Sequence, residues 1–590
     1  MFRNSVVISV LLLSLVLSAA GSSMAVGAEP LAPAIKWIPN DALLVVELTN
    51  PEAFIEAVLC PEAVSAVTSN AAYKHLTSQD GYKQFEQGLR MIEASLGTDW
   101  QNAIKQLLAG GVTFAVRPDE SVSLIVDSAD AEMLGKLQEI LLNLARAEAV
   151  KQGNPGAVKS SEYGGITGWT LGGDDVHCIV NNRLLMSNKP AALKAMLDLR
   201  EGSGGQTIAD SPAYKQAKAD LGSKPVASVF VNLKSIKSEP SIAAALNQGP
   251  DPVASLLIPG VTEALRESNW AAVGLSVDGY KLGLEATLDG KMAGKDGPAS
   301  YAWSDKPDGG ALPNISVPRQ IAGMTFYRDL QTFYAAKDEL FPQRTAGLIF
   351  FENMMGIFFT GRDLTDEVLA ELEPEVRFVV AEQKYDSETG KPALQLPSFA
   401  AIFRMDNPDY FSEVMEEAWQ KALGLINFTS GQQAQPGLIL YRPAHNGVTF
   451  SVSRYSTADI DENAEVHSRY NFRPSLATFD EWLVISSTES LARDLIDALK
   501  AETAKQPKAL AGVHSMVEVN GRQLVSILKA NRANLVRQNM IDDGHTKEEA
   551  EAAIGVILSI AEYFGGAKIE LGSEDGRMRA KLELEVNLGE

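Results

Sequence analysis

One local pattern occurs twice in the chain, and the two copies line up without a gap. In Gly97–Phe114 a glycine ends one helix-forming stretch, an Asp follows after one intervening residue, and a second helix leads into a β-rich segment. Gly361–Phe378 repeats this arrangement. The glycine suits a helix C-terminus and the Asp suits an N-cap, so both copies predict helix, turn, helix and strand. An internal repeat of this size constrains the whole fold.

Further segments match between the two halves in the same order. They predict a strand followed by a helix, then a hairpin followed by a helix, then a strand that ends in Asn before a long helical region. The matched pairs are Leu124–Asp127 with Ala401–Arg404, Cys178–Ser187 with Thr478–Ser486, Pro190–Leu199 with Ser490–Leu499, and Val229–Asn232 with Val517–Asn520. The order of elements is therefore predicted to be the same in both halves.

The last match is a hairpin in each half. Residues 270–288 and 568–586 both centre on Asp-Gly, a strong hairpin signal. Folding the second copy about its turn predicts three cross-strand pairs of opposite charge, which are Glu574 with Arg577, Glu570 with Lys581, and Lys568 with Glu583. The opposite face is then apolar, as expected for a sheet that helices cover on one face.

These elements predict an α+β fold of two related modules in tandem. Hairpins and helices mix without a regular βαβ alternation, so each module is expected to be an antiparallel-rich sheet covered on one face by helices. The modules are assigned to residues 26–288 and 319–590, and the Gly- and Pro-rich stretch 289–318 is assigned as a linker. Each module is long enough to bury its own core, so residues 26–300 are expected to fold alone.

Residues 1–25 have the pattern of a secretory signal peptide. One positive charge, Arg3, precedes the apolar run Val6–Leu17, and small residues follow it up to Ala25. The alternative is a membrane anchor, but a helix that spans a bilayer needs about 20 apolar residues. The sequence therefore predicts a mature protein outside the cytoplasm, periplasmic or secreted, with no transmembrane segment after cleavage.

The composition argues against two broad classes of protein. The net charge of −23 at pH 7 argues against nucleic-acid binding, because phosphate contacts need a basic surface. Hydrophobic residues make up 45% of the chain, which is typical of a packed globular protein and not of a disordered one. The two cysteines, Cys60 and Cys178, are expected either to form a disulfide, which an oxidising compartment permits, or to be buried free thiols.

The sequence predicts no catalytic, cofactor-binding or metal-binding residues. The six histidines are scattered, and no two have the spacing of a helical zinc pair. Asp459–Asn463 resembles the start of a calcium loop, but Ala464 stands where the loop requires glycine. Ser526 and Lys529 have Ser-x-x-Lys spacing, but the partner motifs are missing. All of these residues are therefore interpreted as structural or solvent-exposed.

Three segments together resemble a known family. They are the opening strand Pro39–Val46, the Gly-Gly-Val-Thr-Phe-Ala-Val strand at Gly110–Val116, and the Leu-Leu-Met-Ser strand at Leu184–Ser187. In this order they resemble a family of secreted bacterial proteins of unknown function, of the planctomycete type, with a duplicated α+β module. The resemblance implies no catalytic residue.

The stretch Leu348–Phe359 is apolar almost all round, whereas its counterpart Phe85–Leu96 is amphipathic. Two interpretations stay open: a helix buried between the halves, or an exposed apolar patch for a protein partner, an apolar ligand or a lipid surface. The whole sequence favours a non-enzymatic binding or structural role outside the cytoplasm. The alternatives are a carrier or chaperone for an apolar ligand or lipid, and a hydrolase whose site no motif reveals.

Overall fold

The computed structural model describes residues 31–69, 73, 77, 80–171, 173–222, 225–247, 251–291, 299–304, 309–385, 387, 389–457, 465–574 and 576–588. The predicted signal peptide lies outside these residues, as do parts of the predicted linker. The described chain forms two compact units. Unit 1 holds residues up to Ala245, Glu267–Gly290 and Leu588, and unit 2 holds Leu246–Arg266 and Lys291–Asn587. No helix in these ranges has the length and apolar character needed to cross a membrane.

In the described part of unit 1, ten strands form a sheet in which every neighbouring pair is antiparallel. The order across the sheet is β10-β9-β8-β1-β2-β3-β7-β6-β5-β4. The strands are β1 Leu44–Leu48, β2 Gly111–Val116, β3 Val122–Asp127, β4 Val158–Tyr163, β5 Ile166–Leu171, β6 Val176–Val180, β7 Arg183–Ser187, β8 Ala227–Val231, β9 Ala271–Asp278 and β10 Lys281–Lys291.

In the described part of unit 2, a second sheet is also antiparallel throughout. Its order is β22-β21-β20-β11-β12-β13-β19-β18-β17-β14, and β15 and β16 form a separate small hairpin. The strands are β11 Gln320–Tyr327, β12 Leu372–Ala381, β13 Ser398–Met405, β14 Leu438–Tyr441, β15 Ala444–His445, β16 Val448–Thr449, β17 Ser451–Tyr455, β18 Ser475–Phe479, β19 Trp482–Ser486, β20 Val513–Asn520, β21 Phe564–Glu574 and β22 Arg577–Val586.

The helices connect these strands, and helix α10 and most of α11 belong to unit 2 although they precede β9 in the chain. The helices are α1 Pro51–Val58, α2 Pro61–Ser69, α3 Asp80–Leu96, α4 Trp100–Leu108, α5 Ala131–Lys151, α6 Pro190–Arg200, α7 Pro212–Asp220, α8 Leu233–Ile236, α9 Pro240–Asn247, α10 Pro252–Leu257, α11 Val261–Glu267, α12 Leu330–Ala335, α13 Lys337–Leu340, α14 Thr345–Phe358, α15 Pro408–Gln432, α16 Glu489–Thr503, α17 Gly521–Ala530, α18 Arg532–Asp542 and α19 Lys547–Ala561.

The two sheets have the same strand order, with β1 at the place of β11 and β4 at the place of β14. Their register agrees with the sequence matches. In unit 1 Phe114 of β2 faces Leu124 of β3, and in unit 2 the matched Phe378 of β12 faces Ala401 of β13. The next strand in each sheet agrees as well. Met186 of β7 faces Leu124, Ile485 of β19 faces Ala401, and Met186 and Ile485 are also a matched pair.

The repeated turn pattern forms the predicted local structure in both units. Gly97 and Gly361 have φ angles of +73° and +74°, which glycine adopts without strain. Asp99 and Asp363 each accept a hydrogen bond at 2.8 Å from the backbone N–H three residues later. The element after Asp363 differs from the prediction, because a π turn at Leu364–Val368 takes the place of a regular α-helix.

The predicted register of the terminal hairpin is confirmed. Across β21 and β22, Lys568 faces Glu583, Glu570 faces Lys581 and Glu574 faces Arg577. Lys581 and Glu583 are exposed, while Met578 on the other face is buried. On β22 charged and less exposed apolar residues therefore alternate as predicted. On β21 the alternation of exposure does not hold, because Ile569 is exposed while Lys568 and Glu570 are partly buried. Asp575 of the turn lies outside the described residues.

Helices cover both faces of each sheet over its central strands, which is more cover than predicted. In unit 1, Ile125 of β3 packs with α6 and α7, while its neighbour Val126 packs with α1 and α4. In unit 2, Ile402 of β13 packs with α16, while Phe403 packs with α15. Neighbouring strand residues point to opposite faces, so each sheet is buried twice there. The α+β class with antiparallel sheets is confirmed.

Candidate functional site

Helix α14 contains most of the apolar stretch that the sequence singles out. Its inward side packs through Leu348, Met355 and Phe358 against a core that includes Phe411 and Val414 of α15. This packing fixes one side of the helix on unit 2. The helix has no side-chain N-cap, so its position depends on the packing more than on local capping.

The outward side of α14 is exposed and apolar. Phe350 is 71% exposed and Ile357 is 66% exposed. With them, three further large apolar side chains form what we call the apolar surface, which consists of Ile349, Phe350, Phe351, Met354 and Ile357. The interpretation of this helix as buried is therefore wrong. Large apolar side chains that lie together in solvent are typical of a binding surface.

Polar groups are rare on this side of the helix. Asn353 is the one exposed polar side chain among the residues of α14, and Glu352 is partly buried beside Lys337, at 4.0 Å. A cation stands near each end of the helix. Arg344 precedes it and pairs with Asp251 at 2.9 Å, and Arg362 follows it.

Helix α10 extends the apolar character beside the start of α14. Val253 and Leu257 are exposed, and Asp251, the N-cap of α10, holds the ion pair to Arg344. Leu256 on the other side of α10 packs against the same small core as Leu348 of α14. The two helices therefore present exposed apolar side chains close together in unit 2.

A buried arginine attaches α10 to the core of unit 2. Arg328 is 2% exposed, and its guanidinium donates to the carbonyl oxygen of Leu256 at 2.5 Å and to Ser515 Oγ at 2.6 Å. Burial lowers the pKa of Arg328 to about 9. Tyr301 adds a hydrogen bond to the carbonyl oxygen of Ser255 at 2.8 Å. These contacts fix the segment beside the apolar surface, which indicates a structural role for Arg328.

A polar pocket of about 220 Å³ lies beside the first turn of α16. Arg493 on its wall forms an ion pair with Glu489 at 2.7 Å, and Tyr385 donates to Asn471 at 2.8 Å. The Thr488 hydroxyl donates a hydrogen bond to the Ser398 hydroxyl at 2.9 Å, and it also caps the N-terminus of α16. The pocket can hold a small polar molecule, but none of these contacts activates a nucleophile.

The cysteines and His177 have no catalytic geometry. Cys60 and Cys178 are both free thiols, so the disulfide alternative is wrong for this structure. Burial raises the pKa of Cys178 to about 12 and lowers the pKa of His177 to about 4. A thiol and an imidazole with such values are neutral near pH 7, and the neutral thiol is a poor nucleophile. Both are core residues, as the strand pattern predicts for Cys178.

The other sequence candidates do not form a site either. The ammonium of Lys529 pairs with the carboxylate of Glu562 on the surface. His445 donates a hydrogen bond through Nε2 to the carboxylate of Asp497 at 2.8 Å, and its Nδ1 accepts from the guanidinium of Arg493 at 3.3 Å, which is not a nucleophile. The segment Asp459–Ala464 lies outside the described residues. In the ranges that the structure covers, no cluster of three or more His, Cys, Asp and Glu could hold a metal.

Sequence reasoning found α14 but missed its surroundings. The cation Arg344 and the exposed residues of α10 are brought to α14 by the folded chain, since Asp251 and Arg344 are far apart in sequence. The available signal was the short apolar run after the N-cap Asp251, which by itself is typical of many helices. The contacts of Arg328 and Tyr301, and the ion pair of Arg344 with Asp251, link that run to the rest of unit 2.

Together, the two antiparallel sheets, the helices on both faces and the exposed apolar helix define a mixed α+β protein with an exposed apolar surface. The chain belongs to the family described as "Protein of unknown function (DUF3352)", whose model matches residues 5–324. The match covers the strands of unit 1 and most of β11. No curated protein matches the chain significantly.

Among solved structures, the chain is similar to three crystal forms of TP0453. Form IV has 9% identity and a TM-score of 0.23, covering 44% of this chain and 81% of that one. Form III has 9% identity and a TM-score of 0.24, covering 47% and 85%. Form I has 10% identity and a TM-score of 0.23, covering 44% and 80%. TM-scores this low support no conclusion about function.

Proposed function

We propose that the protein is a non-enzymatic binding protein that works outside the cytoplasm and contacts an apolar partner through the apolar surface of α14. The observation that carries this proposal is the exposure of Phe350 and Ile357, which lie on a helix whose one charged side chain, Glu352, is partly buried. Exposing large apolar side chains in water is unfavourable, by roughly 1.5–3 kcal/mol for each side chain. A partner that buries them recovers this free energy.

The place of action follows from the sequence pattern of residues 1–25. A charged start, a short apolar run and small residues favour export and cleavage. The acidic net charge of −23 is compatible with a secreted or periplasmic protein that avoids nonspecific contact with nucleic acid. We therefore place the proposed binding function in the periplasm or outside the cell.

We also propose that the units arose by tandem duplication of one module, with residues 26–288 and 319–590 as the two copies and 289–318 as a linker. The shared strand order and the agreement of the matched registers support this proposal. The proposal fits a family of secreted bacterial proteins of the planctomycete type. Duplication matters for function because it leaves one copy free to diverge at its surface.

An enzymatic function is less well supported. Of the described candidates, Cys178 is buried, and the ammonium of Lys529, the base that the Ser-x-x-Lys spacing would offer to Ser526, is paired with Glu562. The carrier alternative keeps some support, because an exposed apolar helix also suits a carried lipid. The pocket beside α16 is lined by polar and charged side chains, which do not suit an acyl chain. A carried ligand would therefore be held on the apolar surface.

The test compares surface variants of the chain from Val26 onwards. Phe350→Ser with Ile357→Ser removes the two most exposed side chains of the apolar surface. Met91→Ser with Val150→Ser is the matched control, since these unit 1 residues are 70% and 63% exposed. We expect the first variant to lose most of its binding to an apolar dye and to phenyl-agarose, while the control keeps it. Equal binding by both variants would contradict the proposal.

A further inference from the structure

We infer that the partner of the apolar surface is a lipid bilayer surface, in which α14 lies along the interface and inserts its outward side chains. The inference rests on the proposed binding function and names its partner. Three properties of the helix support it: the scarcity of hydrogen-bonding groups, the length of the helix, and the cations near its ends.

The scarcity of polar groups on the outward side of α14 favours a lipid surface over a protein as the partner. Protein interfaces carry about one hydrogen bond per 100–200 Å² and a polar rim. Along the outward side of α14, Asn353 is the one exposed polar side chain. The helix satisfies its interior backbone groups internally, so hydrocarbon can cover it without loss of hydrogen bonds. Insertion into a bilayer requires apolar area and no directional hydrogen bonds, and the apolar surface has both properties.

The length of α14 decides how it can meet a bilayer. Its 14 residues extend about 21 Å at 1.5 Å per residue. The hydrocarbon core of a bilayer is about 30 Å thick, so the helix is too short to span it. One side is also occupied by the core of unit 2, through Leu348, Met355 and Phe358. The arrangement fits a helix that lies in the interface with one side inserted.

The charges near the helix suit lipid phosphates. Arg344 is well exposed at the start of α14, whereas Arg362 after its end is partly buried. Their counterions are Asp251 and Glu417, at 2.9 Å and 3.3 Å, and these carboxylates offset part of the attraction. Glu352 is partly buried beside Lys337. The apolar side chains should therefore provide most of the binding, with the exposed Arg344 placing the start of the helix at the headgroups.

The exposed residues of α10 add to the same surface. Val253 and Leu257 lie beside the start of α14, because the Asp251–Arg344 ion pair joins the two helices. Arg328 holds α10 to the core of unit 2. A fixed surface loses less conformational entropy on binding than a mobile segment does. The lipid-facing surface is therefore preformed in unit 2.

The first experiment is flotation of the chain from Val26 with vesicles of phosphatidylcholine, and with vesicles that also contain phosphatidylglycerol. The wild type should float with both and should stay bound at high salt, because apolar insertion is little screened. Phe350→Ser with Ile357→Ser should reduce the partition coefficient by about tenfold or more. The control Met91→Ser with Val150→Ser should float as the wild type does.

The second experiment measures insertion directly and does not rely on loss of function. A tryptophan at residue 350, Phe350→Trp, should shift its emission to the blue on adding vesicles and should be quenched by brominated acyl chains. Met91→Trp in unit 1 should show neither effect. Circular dichroism and thermal melting of each variant establish that the fold is intact. Absence of quenching at residue 350 would overturn the lipid inference.

The outcomes separate this inference from the proposed function. If dye and phenyl-agarose binding depend on Phe350 and Ile357 but vesicles are not bound, the proposed function stands and the lipid partner is wrong. If light scattering then shows a dimer that Phe350→Ser with Ile357→Ser converts to a monomer, the partner is a second copy of this chain. If neither dye nor vesicle binding depends on these residues, both proposals fail.

Discussion

Helices α3 and α14 occupy the same place in the chain order of the two units, yet they have different outer surfaces. Helix α3 lies between β1 and β2, and α14 lies between β11 and β12. On α3 an exposed ion pair joins Arg90 and Glu86 at 2.8 Å. On α14 no exposed side chain is charged, and Phe350 and Ile357 stand in solvent. The strand order is thus the same although the surface of one helix is not. Sheet topology depends on inward side chains and turns, so the outer side of a helix is free to acquire a function.

A second comparison concerns the centre of each sheet. Thr113 of β2 and Arg377 of β12 are matched residues, and both are buried. Arg377 forms ion pairs with Glu375 at 2.5 Å and with Glu502 at 2.8 Å. Burial raises the pKa of Glu375 above its ordinary value. One unit therefore fills this place with a small hydroxyl and the other with a buried charge network.

The largest expected effect comes from replacing Arg377 in the sheet of unit 2 by threonine, the residue at the matched position 113 of unit 1. Arg377→Thr would leave the carboxylates of Glu375 and Glu502 buried without their cation. Breaking a buried ion pair in this way costs about 3–5 kcal/mol. We expect amide hydrogen exchange in β12 and β13 to accelerate by about a hundredfold or more.

Unit 1 supplies the control for this prediction within the same sample. Exchange in β2 and β3 should be unchanged in Arg377→Thr, since these strands belong to unit 1. Thr113→Val, an isosteric change at the matched buried position that removes no charge, should alter exchange in unit 1 far less. An equal acceleration in both units would show that the units do not unfold separately.

The next effect depends on pH and concerns the buried histidines. His177 in unit 1 and His514 in unit 2 are both buried, and burial lowers the pKa of each, to about 4 for His177. Below the ordinary pKa of about 6.5, the unfolded state takes up a proton that the folded state does not. Stability is therefore full above about pH 6.5 and falls as the pH is lowered towards 4.

His177→Gln should remove the unit 1 share of this acid sensitivity. Between pH 6.5 and pH 5 that share is about 1.6 kcal/mol, less than the full 1.36 kcal/mol per pH unit because the unfolded histidine is only half protonated at pH 6.5. Urea unfolding or hydrogen exchange at the two pH values measures it, with β12 in unit 2 as the internal reference. If the pH dependence of unit 1 is the same in the wild type and in His177→Gln, then His177 is not the group responsible.

The features predicted from sequence are those set by neighbouring residues. The Asp99 cap and the β21–β22 register depend on contacts within a few residues of a turn, so the pattern alone determines them. The second layer of helices was missed because strands such as Val176–Val180 are apolar on both faces, which alternation cannot assign. The binding of α10 to unit 2 depends on Arg328, whose acceptor Leu256 is far away in sequence.

The candidate site also has one feature that the sequence predicts and one that it does not. Its apolar helix was visible as the run Leu348–Phe359, since composition alone distinguishes it from an amphipathic helix. Whether that run was buried or exposed was not visible. The answer depends on whether another element packs against the outer side of α14, and the sequence pattern of the helix does not determine that. Exposure of Phe350 is therefore information that only the three-dimensional arrangement supplies.

The smallest expected effect tests whether the units are equivalent away from their surfaces. Asp130 and Asn407 are the N-caps of the matched helices α5 and α15, and each accepts a hydrogen bond from the backbone N–H three residues later, at 2.9 Å and 3.5 Å. Asp130→Ala and Asn407→Ala should each destabilise their own unit by about 1 kcal/mol. Hydrogen exchange in α5 and α15 measures the two effects in parallel. The longer bond at Asn407 places its effect at the lower end of the range, and Asp130, as a charged cap, also interacts favourably with the helix dipole. A loss confined to one of the two helices would mean that capping is not shared, and the proposed common origin would then rest on the sheets alone.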